Sequence, residues 1–290
     1  MIINRIFQTP NDEHFFFGYH DTSQLSPDDN HLLAIKINNI SDIPSSNFIY
    51  NIYLFNMNNG NSIKISDTRT VNFQQGSRLH WLNNHEFITN DFDGTKYFSK
   101  IINIKSGEIS KKILHPIYCI SNNKKFALTV DFERLFWVRR GYSYDAIVNN
   151  VKNKKIYNKE SISLINLESG KINLLFNIDD VLKISFDKIM NNATHYLEHL
   201  SVSPDDNKFI FLHRFKLEDG GIFSRMLKYD LKKNKLSLLV NSGRVSHFAW
   251  RSNDQLIFYG SFGNLFTSFR KKSSLKKIFK KILFFYKIFI

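Results

Sequence analysis

Hydrophobic and polar positions alternate along most of this chain, and the alternation is broken at recurring intervals by one kind of tight turn. The recurring phrase is an aromatic or His-bearing strand, a Ser-Pro-Asp-Asp or Asn-Asn turn, and a hydrophobic strand. It reads LSPDDNHLLAIKI at Leu25 to Ile37, HPIYCISNNKKFALTV at His115 to Val130, EHLSVSPDDNKFIFLHRF at Glu198 to Phe215 and HFAWRSNDQLIFYG at His247 to Gly260, with a more degenerate LHWLNNHEFITND at Leu79 to Asp91. Equivalent turn residues, Ser26, Asn83, Asn122, Pro204 and Asn253, lie roughly 40 to 80 residues apart, the period of propeller blades of 40 to 50 residues with one insertion. A single unit of this kind cannot bury both of its faces, so it needs neighbours. The pattern predicts an all-β fold, a β-propeller of four-stranded blades.

The first unit opens with HFFFGYHDTSQLSPDDNHLLAIKI and continues into an antiparallel pair around an NNGN turn. The second runs from about Phe73 to Ile113. The third begins at His115 and carries an excursion, residues 134–159, before resuming as SISLINLESGKINLLF. Asp179 to Asn192 carries Val181, Leu182, Ile184, Phe186 and Ile189, the spacing of a short helix or an irregular crossover. The fourth unit spans His195 to about Val240, and the fifth starts at Val245 and stops after its second strand. About five blades are visible, and the ring is expected to be incomplete. The reading is a propeller domain over 1–263 and a tail over 264–290 that either folds over the open edge or continues into further blades of a longer protein.

Composition changes this picture in two places. The chain has one cysteine, Cys119, so there is no disulfide framework, and its start lacks a secretory apolar segment; both point to a reducing compartment and the cytoplasm. The formal charge of +14 is concentrated at the end, where residues 270–290 hold eight Lys or Arg and no acid. The mildly basic body shows no basic stripe interleaved with stacking aromatics, which argues against nucleic acid as a partner. In the tail, Leu275, Ile278, Phe279, Ile282, Leu283, Tyr286 and Phe289 follow helical spacing with Lys between them. This is a basic amphipathic helix suited to an anionic membrane surface on the inner face, too short and too charged to span a bilayer.

Four groups of residues could carry chemistry. His199, His213 and His247 stand on blade-opening strands, where neutral imidazoles converging on the axis would hold Mn, Fe or Zn; alternatively each bonds a neighbouring blade's backbone. In GYHD, His20 oriented by Asp21 suits a general base or a cross-blade link. In FQQGSRLHW, Gln74, Gln75, Arg78 and His80 alternate beside Trp81, a combination that suits sugar hydroxyls and carboxylates or a polar blade interface. The excursion concentrates Arg134, Trp137, Arg139, Arg140, Tyr142 and Tyr144, apt for an anionic sugar or a sugar-nucleotide phosphate. No Gly-rich phosphate loop, Cys cluster or Gly-x-Ser-x-Gly elbow is present.

The runs FFFGYHDTSQLSPDDNHLLA, NFQQGSRLHWL, HPIYCISNNKKFALTVDFERLFWVRRGYSY and HYLEHLSVSPDDNKFIFLHRF, in that order, resemble a group of bacterial β-propellers found among polysaccharide and capsule biosynthesis genes. More distantly they look like oligogalacturonate lyase and TolB-type propellers. The likeness covers about Phe15 to Tyr259. It implies a propeller that binds an oligosaccharide or sugar nucleotide in cell-surface polysaccharide assembly. Lyases of that type hold a divalent metal with several His and one Gln, including a Gln-x-x-His pair that this chain lacks. Three functions stay open: a carbohydrate-binding module, a metal-dependent carbohydrate-active enzyme (lyase-like or glycosyltransferase-associated) using the channel histidines, and a peripheral membrane scaffold.

Overall fold

A computed structural model describes residues 7–38, 43–146, 151 and 154–260. Four antiparallel four-stranded meanders follow one another along the chain, and a strand pair follows them. Blade 1 is β1 (His14–Phe16), β2 (His31–Ile37), β3 (Tyr50–Asn56) and β4 (Ser62–Thr68). Blade 2 is β5 (His80–Trp81), β6 (Glu86–Phe92), β7 (Tyr97–Asn103) and β8 (Ile109–Ile113). Blade 3 is β9 (Cys119–Ile120), β10 (Phe126–Thr129), β11 (Ser161–Asn166) and β12 (Ile172–Asn177). Blade 4 is β13 (Thr194–Val202), β14 (Lys208–Lys216), β15 (Ile222–Asp230) and β16 (Lys235–Gly243), and blade 5 begins with β17 (Val245–Trp250) and β18 (Leu256–Gly260). The expected all-β architecture of four-stranded blades is what forms. The basic tail, 264–290, lies outside the described residues.

The blades succeed one another face to face, and their seams hold the core. Leu33 and Ile52 of blade 1 meet Trp81 and Phe87 of blade 2. Ile88 and Ile113 of blade 2 meet Ala127 and Ile165 of blade 3. On β14, Phe209 and Phe211 pack with Leu128 and Phe176 of blade 3, whereas Ile210 and Leu212 pack with Val245 and Trp250 of blade 5. A strand whose two faces are both buried needs apolar residues on both parities, hence the continuous run FIFL.

The Ser-Pro-Asp-Asp-Asn turn closes on itself. Ser26 donates to Asp28 (2.6 Å) and Asn30 to the same carboxylate (2.9 Å); Ser203, Asp205 and Asn207 repeat the arrangement at 2.6 and 2.8 Å. Asp29, Lys124 and Asp206 occupy the left-handed position of their turns, with φ of 58°, 61° and 57°. Consecutive blades are also hooked by tryptophan. Trp81 Nε1 donates to the Gln24 carbonyl of blade 1 (3.0 Å), and Trp250 Nε1 to the Ser201 carbonyl of blade 4 (3.2 Å). Gln24 and Ser201 each stand two residues before the serine that opens the turn.

The excursion in blade 3 is more ordered than its composition suggests. Asp131 caps α1 (Phe132–Val138) by accepting from Arg134 N, and a 3₁₀ turn, Arg140–Tyr142, follows. Tyr144 stacks on Phe132, with ring centroids 5.3 Å apart, and ties the return of the excursion to the start of the helix in the core. The crossover before blade 4 forms α2 (Ile178–Lys183), closed by an Asn177/Asp180 capping box, and a 3₁₀ turn at Lys188–Met190. No helix among the described residues is long and apolar enough to cross a membrane.

Candidate functional site

The first strands of the blades wall a passage along the axis, and a close backbone approach sets its geometry. Gly18 has φ of 100°, and a Cβ there would lie 3.2 Å from the Gln75 carbonyl oxygen; Gly76 presses equally on Gly18 Cα. This contact brings Asp21 of blade 1 against Arg78 of blade 2. Arg78 is fully buried and clasps Asp21 bidentately, Nη1 to Oδ1 at 3.1 Å and Nη2 to Oδ2 at 2.8 Å. Its Nε donates to the Tyr118 carbonyl of blade 3, and its plane lies 4.4 Å from the Tyr118 ring. Burial opposes ionisation of both partners, but their attraction outweighs it, raising the Arg78 pKa and lowering that of Asp21.

On the side of the Ser-Pro-Asp-Asp turns the passage widens into a cavity of about 450 Å³, walled by blades 1 to 4. Asp21, His80, Cys119, Lys124 and Ser201 reach it among apolar walls. His80 is 7% exposed. One side of its ring is held by the Tyr118 backbone, and its Nε2 is buried without a partner among the described residues. Burial, and then the Arg78 charge, lowers its pKa to about 3, so the ring is neutral at physiological pH. A neutral ring held at one nitrogen by a carbonyl presents a lone-pair acceptor at the other. Burial likewise pushes the Cys119 thiol up to about 12. It also lowers Lys124, against the pull of Asp206.

A smaller cavity of about 30 Å³, room for about one water, lies between Tyr19, His20, His199, His247 and Phe248 and shares Asp21, Leu200 and Ser201 with the larger one. Around it, Glu198 is fully buried and within 3.3 Å of His199 Nδ1 and 3.4 Å of Arg139 Nε, with Arg214 Nε closer still. Burial would raise the Glu198 pKa, but His199, Arg214 and Arg139 together hold it below its usual value. Tyr142 lies under the Arg139 guanidinium (4.5 Å) and 5.0 Å from the His199 ring, while Tyr19 OH lies 3.3 Å from His199 Nε2. Burial and Tyr142 push Tyr19 up to about 12. Arg78, His199 and His247 all have φ between 45° and 57°, each three residues before the end of its strand or of the strand it leads into. This kink turns their side chains out of the ladder.

The structure therefore gathers some of the expected residues and separates others. Asp21, Arg78 and His80 come together, as do Arg139, Tyr142, His199 and His247, with His20 exposed beside Tyr19 (ring centroids 4.2 Å). The three-histidine ligand set does not form. His213 lies within blade 4, its Nε2 2.9 Å from His195 Nδ1 and its Nδ1 accepting from Arg225 Nε at 3.0 Å. Among the described residues no group of three His, Cys, Asp or Glu could hold a metal. Arg134 is a structural clamp: fully buried, it donates to the carbonyls of Val151, Lys155 and His195 and faces Glu160. Arg78 is likewise unavailable to a sugar acid, because Asp21 and Tyr118 use its guanidinium. Gln75 is buried on the Tyr118 hydroxyl at 3.1 Å, and Trp81 is spent on its hook rather than open for stacking. Arg140 is exposed over Phe136, whose ring also meets half-buried Trp137. Glu198, Arg214 and Lys124 were not singled out from the sequence, and Tyr19 only as the aromatic of GYHD. The one signal for them was a carboxylate within the apolar strand HYLEHL, which demands a cationic neighbour.

Fold and passage together define a class, the β-propeller with an axial cavity. No protein family and no curated protein matches this sequence. Among solved structures the chain is similar to the β-propeller domain of the Trilobed protease from Pyrococcus furiosus, at 13% identity and a TM-score of 0.47, covering 86% of this chain and 64% of that one. It is similar to a putative TolB from Agrobacterium tumefaciens (11%, TM-score 0.40, 74% of this chain and 62% of that one). It is also similar to an oligogalacturonate lyase from Vibrio parahaemolyticus (10%, TM-score 0.40, 83% and 70%). The chain spans 19% of the tricorn protease, another structure of this kind. These are similarities of fold.

Proposed function

We propose that this propeller is a carbohydrate-binding module of cell-surface polysaccharide assembly, taking the end of an oligosaccharide, or the sugar of a sugar nucleotide, into the cavity beside His80. The observation that carries this reading is the 450 Å³ cavity itself, whose wall combines Asp21, Ser23, His80 and Lys124 with apolar side chains. Asp21 supplies a hydrogen-bond acceptor and Lys124 a donor, and Ile120, Leu25 and Val202 supply apolar walls, the mixture that holds a sugar ring by its hydroxyls and its carbon skeleton.

Isothermal calorimetry and imidazole ¹⁵N spectra against a panel of oligosaccharides test the reading. Saccharide binding that shifts the His80 resonance and disappears in His80→Phe supports it, and binding indifferent to that substitution overturns it. Attachment to the inner membrane face through residues 270–290 is a separate part of the proposal. Flotation with anionic liposomes is expected for the full chain and is expected to be lost in a chain ending at Gly263.

A further inference from the structure

We infer that the end of the blades away from the serine turns faces a membrane, and that residues 43–49, between β2 and β3, enter the apolar boundary of an anionic bilayer there. The inference rests on the attachment through residues 270–290 proposed above and adds a structured contact that sets which face the propeller turns to the lipid. In each blade the first and third strands run toward the serine-type turns, and the second and fourth run away from them. One end of the blades therefore carries short polar turns and the other carries the longer connections. Ile43, Phe48, Ile49, Leu114, Ile156 and Phe186 are exposed in those connections, and no large apolar residue is exposed in a turn at the polar end among the described residues. As a second strand, β18 also ends at the apolar side. The segment 270–290, with its eight Lys or Arg and no acid, begins ten residues beyond Gly260.

Residues 43–49, IPSSNFI, hold three of these side chains within seven residues. Ile43 is 85% exposed, Phe48 58% and Ile49 55%, and this is not slack in the chain. Ser45 N donates to the Tyr50 hydroxyl (2.9 Å), Ser46 N to Asp145 Oδ1 of the blade 3 excursion (2.6 Å) and Phe48 N to the Ser45 carbonyl (3.0 Å). A turn fastened to two blades thus holds apolar side chains out into water, an arrangement that folding alone gives no reason to keep. The turn carries no charge and its backbone N–H groups at 45, 46 and 48 are already paired, so it leaves water without stripping an ion or an idle amide. Lipid suits the pattern better than a protein partner. The apolar side chains are spread from blade 1 to the crossover before blade 4, and a fluid interface accepts scattered anchors where a protein needs a contiguous complementary area. Several cations at this end are paired, Lys112 with Asp93, Lys155 with Glu218 and Lys183 with Asp180. Attraction to anionic headgroups is therefore left to residues 270–290, and the fastened turn supplies the second signal that stable attachment needs.

The test uses the full chain and vesicles of phosphatidylcholine and phosphatidylserine. An environment-sensitive fluorophore is attached through Phe48→Cys or, in the exposed turn between β3 and β4 at the polar end, through Asn59→Cys. Cys119 is buried, with its thiol pushed up to about 12, and stays unlabelled in the folded chain. On vesicles the probe at position 48 is expected to shift to the blue and to be quenched by lipids brominated in the acyl chain, while the probe at position 59 stays in water. The triple variant Ile43→Ser, Phe48→Ser, Ile49→Ser keeps Ser45, Ser46, Tyr50 and Asp145, so the turn is retained; it is expected to bind vesicles at least about tenfold more weakly than wild type. Vesicle binding with the probe at position 48 in water and the triple variant at wild-type affinity overturns the inference and leaves attachment through 270–290 standing. A full chain that does not bind vesicles removes both. Self-association of wild type that the triple variant abolishes, with vesicle binding unchanged, assigns these side chains to a contact between copies and likewise overturns the inference.

Discussion

Two histidine environments in this molecule have nearly the same burial and opposite consequences. In blade 4, Arg225 Nε donates to His213 Nδ1, His213 Nε2 lies 2.9 Å from His195 Nδ1, and His195 Nε2 lies 3.0 Å from the Met190 carbonyl. That order admits one tautomer for each ring, with the hydrogen on Nε2, and leaves no ring nitrogen idle. Arg225 continues the network into the carbonyls of Val181 and Ile184 at the end of α2, at 3.1 and 2.6 Å. His80, by contrast, lines a cavity, with one side of its ring anchored and its Nε2 buried without a partner among the described residues. The contrast teaches that burial and a lowered pKa do not separate the histidines of this fold; what sets His80 apart is a nitrogen left over in a ring that lines a cavity.

The sharpest way to break that contrast is to remove one ring from each environment. His213→Leu leaves Arg225 Nε and His195 Nδ1 without partners in the core, and is expected to cost roughly 2–5 kcal/mol in urea unfolding. Its saccharide binding should be unchanged wherever the protein remains folded. Acid provides the next largest effect. Unfolded imidazoles protonate near pH 6.5, whereas burial holds native His195 down to about 4 and His213 well below its usual value. The folded values lie below the unfolded ones, so the unfolded chain binds more protons in between. Stability from these rings is complete above about pH 6.5 and is lost as pH falls toward 4. An unfolding free energy that stays flat between pH 7 and 4 would show that the blade 4 rings are not held neutral. The smallest expected effect is that of His80→Phe on folding, within about 1 kcal/mol of wild type, because losing the one bond to the Tyr118 backbone is offset by removing a buried Nε2 that has no partner among the described residues.

Much of the fold was legible because it is written locally. The serine turns satisfy their own polar groups within five residues, and strand parity on β14 directs Phe209 and Ile210 to opposite seams. The candidate site was legible in part. Arg78 and His80 stand two residues apart, so alternation suffices to put them on one side of the chain, and Asp21 belongs to the corresponding opening of blade 1. Their roles were not legible, because the bidentate clasp that consumes Arg78 depends on two glycines, Gly18 and Gly76, meeting across a seam. His213 misled for a similar reason: its strand faces a crossover helix whose carbonyls recruit Arg225, and nothing in HRF signals that. Arg134 reads as a binding arginine by composition, whereas its position in the first turn of α1 sends it into the core.

The tryptophan hooks have a consequence for how such a ring grows. Each hook belongs to the arriving blade and grasps a main-chain carbonyl of its predecessor, an atom every residue possesses. A duplicated unit would therefore bring its own fastening and find a ready catch, whatever side chains the older unit had acquired. Lengthening this architecture by tandem duplication requires no matching change in the blade already there, which leaves the axial residues free to diversify independently of assembly.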